Sequence, residues 1–385
     1  MTYPSISKTA LNTVINGNAY DPYYSYKSPI DLYDIHQFTN GQPFEAYADL
    51  RKNSPIYFQN PPDWDIEPGA WMLTSYKDIV EVSSNPKIFS SQAATGNLIT
   101  LGDPETRHPK LWQTSIDHML NLDGSFHLDL RREHMPFFKP GYVDELHKKV
   151  EIKVNDLLDV IAKVGKSNLV KDLSQQIPIF TLSEVLGIPE EDRHKLATWM
   201  EFLELAQYLS AENLKQQTGN EEEMEVDPSM IELFENMVNE MFDYGKYILQ
   251  EKRNNPQNDL LSAIANAELG GAKLSQEYLD GSWLLIIFAG NDTTRNSISG
   301  AIKLLTEFPE QKKKLLENID LLPNFAQETI RMVSPVIHMR RTTTCETTLG
   351  NQKLGKGEKV IMWYGAANRD PAVFPNPNNF DIERE

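Results

Sequence analysis

Apolar residues recur at helical spacing through the middle of the chain, whereas both ends read as short strands and turns. Over 143–164 the positions Leu146, Val150, Val154, Leu157, Leu158 and Ile161 keep a three-to-four period, which predicts an amphipathic helix. The run 182–186 ends at Gly187-Ile188-Pro189, a helix stop. Further helices are predicted over 194–209, 228–252, 260–267 and 276–308, and another over 315–333 interrupted near Pro323. Near the start, 54–58 and 70–74 read as two strands around a Pro/Asp-rich turn, and 76–83 as a short helix stopped near Pro86. After Pro335 strands return over 341–349 and 359–364, followed by an irregular Pro- and Asn-rich tail over 368–380. The acidic stretch 216–227 reads as a solvated loop. With no internal repeat and no low-complexity linker, the pattern describes one mostly α domain with a minor β part.

The long helix over 276–308 breaks its own pattern near the middle. Trp283-Leu284-Leu285-Ile286-Ile287-Phe288-Ala289 carries no charge and belongs in a core, yet Asn291, Asp292, Thr293, Thr294 and Arg295 follow directly after Gly290. A carboxylate or hydroxyl buried there costs on the order of several kcal/mol unless it is paired or used. The small residue just before the polar pair is expected to open space beside the backbone, giving a pocket with a proton donor at its wall.

Composition narrows the classes. A formal charge of −18 and a pI near 4.9, without a Lys/Arg-rich block, exclude a nucleic-acid binder of the usual basic kind. The single cysteine, Cys345, precludes an intrachain disulfide and fits a reducing compartment. The N-terminal stretch lacks a signal-peptide core, and no apolar run is long enough to span a membrane, so a cytoplasmic protein is expected.

Other candidate groups are weaker alone. Glu328 and Arg331 lie at i and i+3, which by itself describes a surface helix pair; if buried they need a further partner, for which Arg384 is available. His127 and Arg131 lie at i and i+4 after Asp123-Gly124-Ser125, either a solvated face or a cationic pair for a carboxylate or phosphate, and Arg341 is a third such cation. The Gly350–Gly357 string looks like a phosphate loop but ends in glycine where a magnesium-binding hydroxyl is needed, and reads as a hairpin turn. The eight histidines show no metal spacing. An all-α isoprenoid cyclase, suggested by Asn291-Asp292, lacks its further carboxylates.

Taken together these strings resemble the cytochrome P-450 superfamily in its soluble bacterial branch. Ala289-Gly290-Asn291-Asp292-Thr293-Thr294 is similar to the family's central distal helix, and Glu328-Thr329-Ile330-Arg331 to its Glu-x-x-Arg helix. The tail from Asn378 to Arg384 resembles the meander whose Arg closes a Glu-Arg-Arg triad. The segment from Asp123 to Arg131, with Phe138 and Pro140 following, matches the bacterial Asp-Pro-Pro-x-His-x-x-x-Arg pattern except that Gly124 and Ser125 replace the prolines. Val185 to Asp192 and the Arg253, Pro256, Asp259-Leu260-Leu261-Ser262 set also fit.

The resemblance implies a P-450 fold over 47–385 after an N-terminal extension over 1–46, and a haem-dependent monooxygenase. Asp292 and Thr293 are then the proton-relay residues, Ala289 and Gly290 the oxygen-side wall, and His127, Arg131 and Arg341 the propionate partners. Leu285, Phe288, Val336 and Ile337 line an apolar substrate pocket, while Glu328, Arg331 and Arg384 form the structural triad. The implied cofactor is heme b, with O2 as co-substrate and electrons from NAD(P)H through a ferredoxin and its reductase. Local strings are similar to those of enzymes hydroxylating alkanes, fatty acyl chains, terpenoids and steroid side chains, the terminal alkane hydroxylases most of all. The family's cysteine loop is expected beyond Glu385, so these residues are expected to be an inactive, C-terminally truncated piece of an active parent; Cys345 reads as an ordinary strand residue. The alternative is a haem-free degenerate relative serving as a binding or scaffold protein.

Overall fold

A computed structural model describes residues 32, 35–59, 69–92, 109–114, 118–203 and 228–384. The acidic loop over 216–227, the Pro/Asp-rich turn, most of the N-terminal extension and the end of the predicted 194–209 helix lie outside these residues. In chain order the helices are α1 (Phe44–Asn53), α2 (Tyr76–Ser84), α3 (Pro109–Thr114), α4 (Gly124–His134), α5 (Pro140–Val164), α6 (Gln176–Leu186), α7 (Pro228–Asn254), α8 (Leu260–Asn266), α9 (Gln276–Glu307), α10 (Pro309–Glu317), α11 (Leu322–Val333) and α12 (Tyr364–Ala367). A further helical run covers 193–203. The strands are β1 (Ile56–Gln59), β2 (Ala70–Leu73), β3 (Phe89–Ser90), β4 (Glu268–Leu269), β5 (Ala272–Lys273), β6 (His338–Thr343), β7 (Thr347–Leu349), β8 (Gln352–Leu354) and β9 (Lys359–Trp363). The chain forms two compact units, 1–102 with 300–385, and 103–299.

The first unit is built on a five-stranded sheet in the order β1-β2-β9-β6-β3. Only the β2–β9 pair is parallel. β9 is buried at every position, as a central strand covered on both faces requires. One apolar cluster joins Trp71, Leu73, Ile79 and Met362; another joins Leu32, Tyr47, Leu50, Ile361 and Trp363, with Phe38 and Phe44 packed against it. Chain before Tyr47 therefore contributes to this core. β7 and β8 form the hairpin expected from the glycine string, turning at Gly350 with φ 55°. Pro323 does not interrupt a helix: α10 has already ended at Glu317, and the proline sits in the first turn of α11, where its missing N–H costs nothing.

Among its described residues the second unit has no strands besides the small β4–β5 ribbon, and helices make up most of it. Its core joins Leu186, Trp199, Phe242, Leu261, Trp283 and Ile287, all under 3% exposed. α5 keeps most of the predicted stripe, with Leu146, Val150, Val154, Leu157 and Ile161 half-buried, but Leu158 is exposed and no residue is completely buried. The α7–α8 connection rests on the buried Lys252–Asp259 ion pair, and Asp259 also caps α8 by accepting from Ser262 N at 2.8 Å. α9 belongs to this unit as far as Ser299, and to the first unit from Gly300 onward.

Candidate functional site

The central part of α9 supplies most of the candidate chemistry. On an α-helix residues four apart share a face, so Leu285, Ala289 and Thr293 form one stripe and Phe288, Asp292 and Arg295 the neighbouring one. Ala289 and Phe288 are exposed although Leu284 and Ile287, just before them, are buried. The Thr293 hydroxyl donates to the Ala289 carbonyl at 3.4 Å, a long bond along its own stripe.

Asp292 is not buried as the sequence pattern suggests. Its side chain is 46% exposed and ion-paired with Arg295, three residues on, which is only 15% exposed. The pair lines a small cleft together with Met200, Leu203, Ile287, Phe288 and Asn291. Asn291 is 2% exposed, and its amide oxygen has no hydrogen-bond partner among the described residues. Arg295 and Asn291 are functional candidates that motif reading passed over; the i, i+3 spacing from Asp292 was the available signal for Arg295.

The reading of Gly290 needs correction. A Cβ at this position would lie 2.9 Å from Leu182 Cδ1 on α6. The space beside the glycine is filled by a neighbouring helix, so glycine serves helix packing there, and it is Ala289 that presents an open surface.

His127 and Arg131 both stand on α4. His127 Nδ1 donates to the Met119 carbonyl at 3.2 Å, which leaves Nε2 for a ligand; a carboxylate there requires the doubly protonated ring. Arg131 is exposed, and its guanidinium has no hydrogen-bond or ion-pair partner among the described residues. Gly124, which starts α4, has φ 64°, a conformation closed to the proline that the bacterial pattern carries at this position.

In the first unit, Val336 is half-buried and Ile337 is 36% exposed in the link from α11 to β6. Arg341 is half-buried on β6, with Nη1 donating to the Arg340 carbonyl at 2.9 Å; strand alternation turns its neighbour Arg340 to the other face, where it is buried. Cys345 does not lie in a strand: it is exposed in the bend between β6 and β7.

Glu328 and Arg331 form a buried bidentate pair, at 2.7 and 2.8 Å, and not the surface pair that their spacing alone describes. Arg384 Nε reaches both Glu328 oxygens, at 3.1 and 3.2 Å, so all three come together. Asp381 N adds a 3.0 Å bond to Glu328 Oε1. The arginines then tie down the tail: Arg331 donates to the carbonyls of Asn368, Pro377 and Asn379, and Arg384 to those of Pro375 and Asn379. Burial alone drives the Glu328 carboxyl upward, but hydrogen bonds from Arg331, Asp381 N and Arg384 outweigh it and leave it below the usual range. Sequence reasoning missed Arg369, also buried, which donates to Pro377 O at 3.0 Å and Met332 O at 2.9 Å and stacks over Phe44. Burial, and then Arg331, lower its pKa to about 10.

A haem fits part of this donor set. The exposed Ala289, one turn before the Thr293 hydroxyl, suits the distal side of a flat ring, and the exposed Arg131 guanidinium suits a propionate. Among the described residues no three His, Cys, Asp or Glu side chains converge as they would around a separately bound metal ion.

Comparison with known proteins agrees with this geometry. The cytochrome P450 family model matches residues 88–384. Linalool 8-monooxygenase of Pseudomonas putida is 30% identical over 358 residues, 92% of this chain and 83% of that protein. Steroid C26-monooxygenase of Rhodococcus jostii is 28% identical over 360 residues, 92% of this chain and 71% of that one. Among solved structures, Mycobacterium marinum cytochrome P450 CYP268A2 in complex with pseudoionone has a TM-score of 0.78 and 30% identity, covering 94% of this chain and 85% of its own. A family match over most of the chain, a P-450 fold and monooxygenase relatives lead to one conclusion: the chain belongs to the cytochrome P450 family and is a monooxygenase of that family.

Proposed function

We propose that this monooxygenase hydroxylates an apolar, chain-like substrate: an alkane, a fatty acyl chain, a terpenoid or a steroid side chain. The observation that carries the reading is the middle of α9, where an apolar run meets an ion-paired carboxylate and a hydroxyl on adjacent stripes. Relatives named for linalool and steroid oxidation support the apolar class.

When bound, haem held by a cysteine thiolate supplies oxygen activation and C–H oxidation. His127, Arg131 and Arg341 would hold its propionates, and Ala289 would face the ring. Leu285, Phe288, Val336 and Ile337 would exclude water from the substrate and offer it apolar contact. The Asp292 carboxylate, close to half exposed, takes up a proton from water, which a buried carboxylate could not do directly. Arg295 holds that carboxylate in one orientation between proton transfers, and the ion pair loosens to pass a proton on. The Thr293 hydroxyl leaves its long bond to the Ala289 carbonyl and presents its proton toward the oxygen side of the helix. Glu328, Arg331 and Arg384 fix the tail and touch no substrate. Electrons come from NAD(P)H through a ferredoxin and its reductase; consistent with a partner met in solution, no helix among the described residues is long and apolar enough to cross a membrane.

Protein expressed from its complete gene, reduced and exposed to carbon monoxide, is expected to show the Soret band of a thiolate-ligated haem. Long-chain alkanes, fatty acids, terpenes and sterols are then expected to shift the haem spectrum where polar analogues do not. Absence of haem uptake overturns the reading.

A further inference from the structure

Asn291 does not match the face of the helix on which it stands. Leu284, Ile287 and Asn291 recur three and four residues apart on the buried face of α9, at 9, 0 and 2% exposed, and the first two are apolar as that face requires. The amide breaks the stripe, and its Oδ1 has no hydrogen-bond partner among the described residues. An acceptor left unmatched in a core loses its bond to water and receives nothing in return. Packing alone would be served better by another leucine.

The neighbouring side chains supply a use. Arg295 follows Asn291 by four residues and Asp292 by three, the two spacings at which helical side chains meet. With 3.6 residues per turn, Arg295 projects roughly 40° around the axis from Asn291 and roughly 60° from Asp292, between the two. Its guanidinium rests on Asp292. All three side chains line the same cleft, whose volume of about 130 Å³ leaves the guanidinium room to turn. Asp292 is the one nearer the Ala289–Thr293 stripe, and Asn291 lies on the far side of Arg295 from it.

The two acceptors differ in what replaces a departing guanidinium. The Asp292 side chain is 46% exposed, so water takes the vacated place; the 2% exposed Asn291 has no such substitute. While Asp292 is ionised, its charge holds Arg295. Once a proton neutralises the carboxylate that attraction ends, and the guanidinium gains most by turning to the acceptor that water does not reach.

We propose that Asn291 is a positioning residue whose amide oxygen receives the Arg295 guanidinium each time Asp292 takes up a proton, which clears the carboxyl to hand that proton toward Thr293. The proposal rests on the proton relay assigned above. The proton comes from a solvent hydronium ion, which leaves as water, and Arg295 keeps its own protons and charge throughout. When Asp292 passes the proton on and recovers its negative charge, the guanidinium returns to it and Asn291 Oδ1 is unmatched again. Asn291 touches neither substrate nor cofactor in any step.

The test is a thermal-unfolding cycle on haem-loaded protein from the complete gene: wild type, Asn291→Leu, Asp292→Asn and the double variant. Asp292→Asn stands for the carboxyl after proton uptake, with the same shape and no charge. In the wild-type background Asn291→Leu is expected to raise the melting temperature, because it removes an unmatched acceptor. In the Asp292→Asn background the same change is expected to lower it, because Arg295 then rests on Asn291. A crystal structure of Asp292→Asn is expected to show an Arg295 nitrogen within hydrogen-bond distance of Asn291 Oδ1. A shift of the same sign in both backgrounds, as a merely structural asparagine gives, overturns the proposal. So does a guanidinium that stays on the 292 side chain, or turns to water, in that crystal. For turnover, the alkane, fatty acid, terpene or sterol that shifts the haem spectrum most serves as substrate. Asn291→Leu is expected to send severalfold more NAD(P)H into peroxide, and to add nothing in an Arg295→Ala background; equal uncoupling in both backgrounds also overturns the proposal. Unchanged coupling in Thr293→Ala instead overturns the relay reading, whereas the melting cycle and the crystal decide where Arg295 goes without any substrate, so the two failures are distinct.

Discussion

At the residue scale two side chains make opposite demands. Glu328 is 4% exposed and holds Arg331, itself 6% exposed, through two hydrogen bonds. Truncating one partner of such a pair leaves the other charge buried and uncompensated, so Glu328→Ala is expected to lose about 3–5 kcal/mol in urea unfolding. The tail through Arg384 should loosen first, because Arg384 and Asp381 N use the same carboxylate. Limited proteolysis reads that loosening directly. Thr293 behaves differently. Among the described residues its hydroxyl makes one long bond, to the Ala289 carbonyl, and alanine is the better helix former, so Thr293→Ala should fold at least as well as the wild type. In the haem-loaded protein this change is expected to divert NAD(P)H consumption away from product and into peroxide. Positioned acid catalysis is worth on the order of 10²–10⁴-fold, so the loss should be large. Unchanged coupling would remove Thr293 from the relay. The Glu-x-x-Arg spacing is legible in sequence, but burial is not: two residues three apart on a helix look alike at the surface and in the core, and only the tail folding back over them decides. Arg369 was illegible for the same reason, since its hydrogen-bond acceptors are carbonyls and sulfur brought in by tertiary packing.

At the element scale the helices were legible wherever periodicity was unbroken, and α9 above all. Periodicity cannot show which glycine touches a neighbour. Three glycines on helices separate cleanly on that point. A Cβ at Gly300 would lie 2.3 Å from Val333 Cγ2, a stiff β-branched side chain of α11. One at Gly245 would meet the Trp283 ring at 2.5 Å, and one at Gly290 would meet only the methyl end of Leu182, at 2.9 Å. Overpacking costs about 1–3 kcal/mol, while replacing a mid-helix glycine with alanine returns about 1 kcal/mol of helix propensity. Gly300→Ala and Gly245→Ala are therefore expected to destabilise by up to about 2 kcal/mol net. Gly290→Ala is expected to fall within about 0.5 kcal/mol of the wild type, because the Leu182 methyl can turn away. A thermal-unfolding series over the three variants checks the ranking. A large cost at Gly290 would show that α6 and α9 cannot yield there, and would give that glycine a stronger packing role than its contact indicates.

For the whole molecule the same burial that shapes the two units sets the direction of its response to acid. Burial lowers the His338 imidazole to about 4, helped by the neighbouring Arg340, and burial lowers His134 to about 4 as well. His338 sits on β6 beside the Trp363 ring at 4.9 Å, and His134 closes α4, so each unit holds one imidazole kept neutral. Both groups titrate near 6.5 in the unfolded chain. Between about 6.5 and about 4 the unfolded chain takes up these protons and the folded chain does not, so stability is complete above the upper limit and declines as pH falls. Each site adds a slope of at most about 1.4 kcal/mol per pH unit. Glu328 acts in a separate window: its folded carboxyl is lowered, so its contribution is held above the ordinary glutamate value of 4.5 and disappears only as pH falls below that. Unfolding midpoints should therefore begin to drop near neutrality, before the carboxylates respond. His338→Phe keeps a ring against Trp363 and removes the titrating group, so it is expected to flatten the 6.5-to-4 limb while leaving the steeper acid limb in place. Sequence alone could not have located this limb, because a histidine following Pro335-Val336-Ile337 gives no sign that the strand carrying it folds against a tryptophan twenty-five residues later. If His338→Phe and wild type lose stability in parallel from neutrality downward, the half-buried imidazole on β6 is not the group that senses mild acid, and the limb must be assigned to His134 in the other unit.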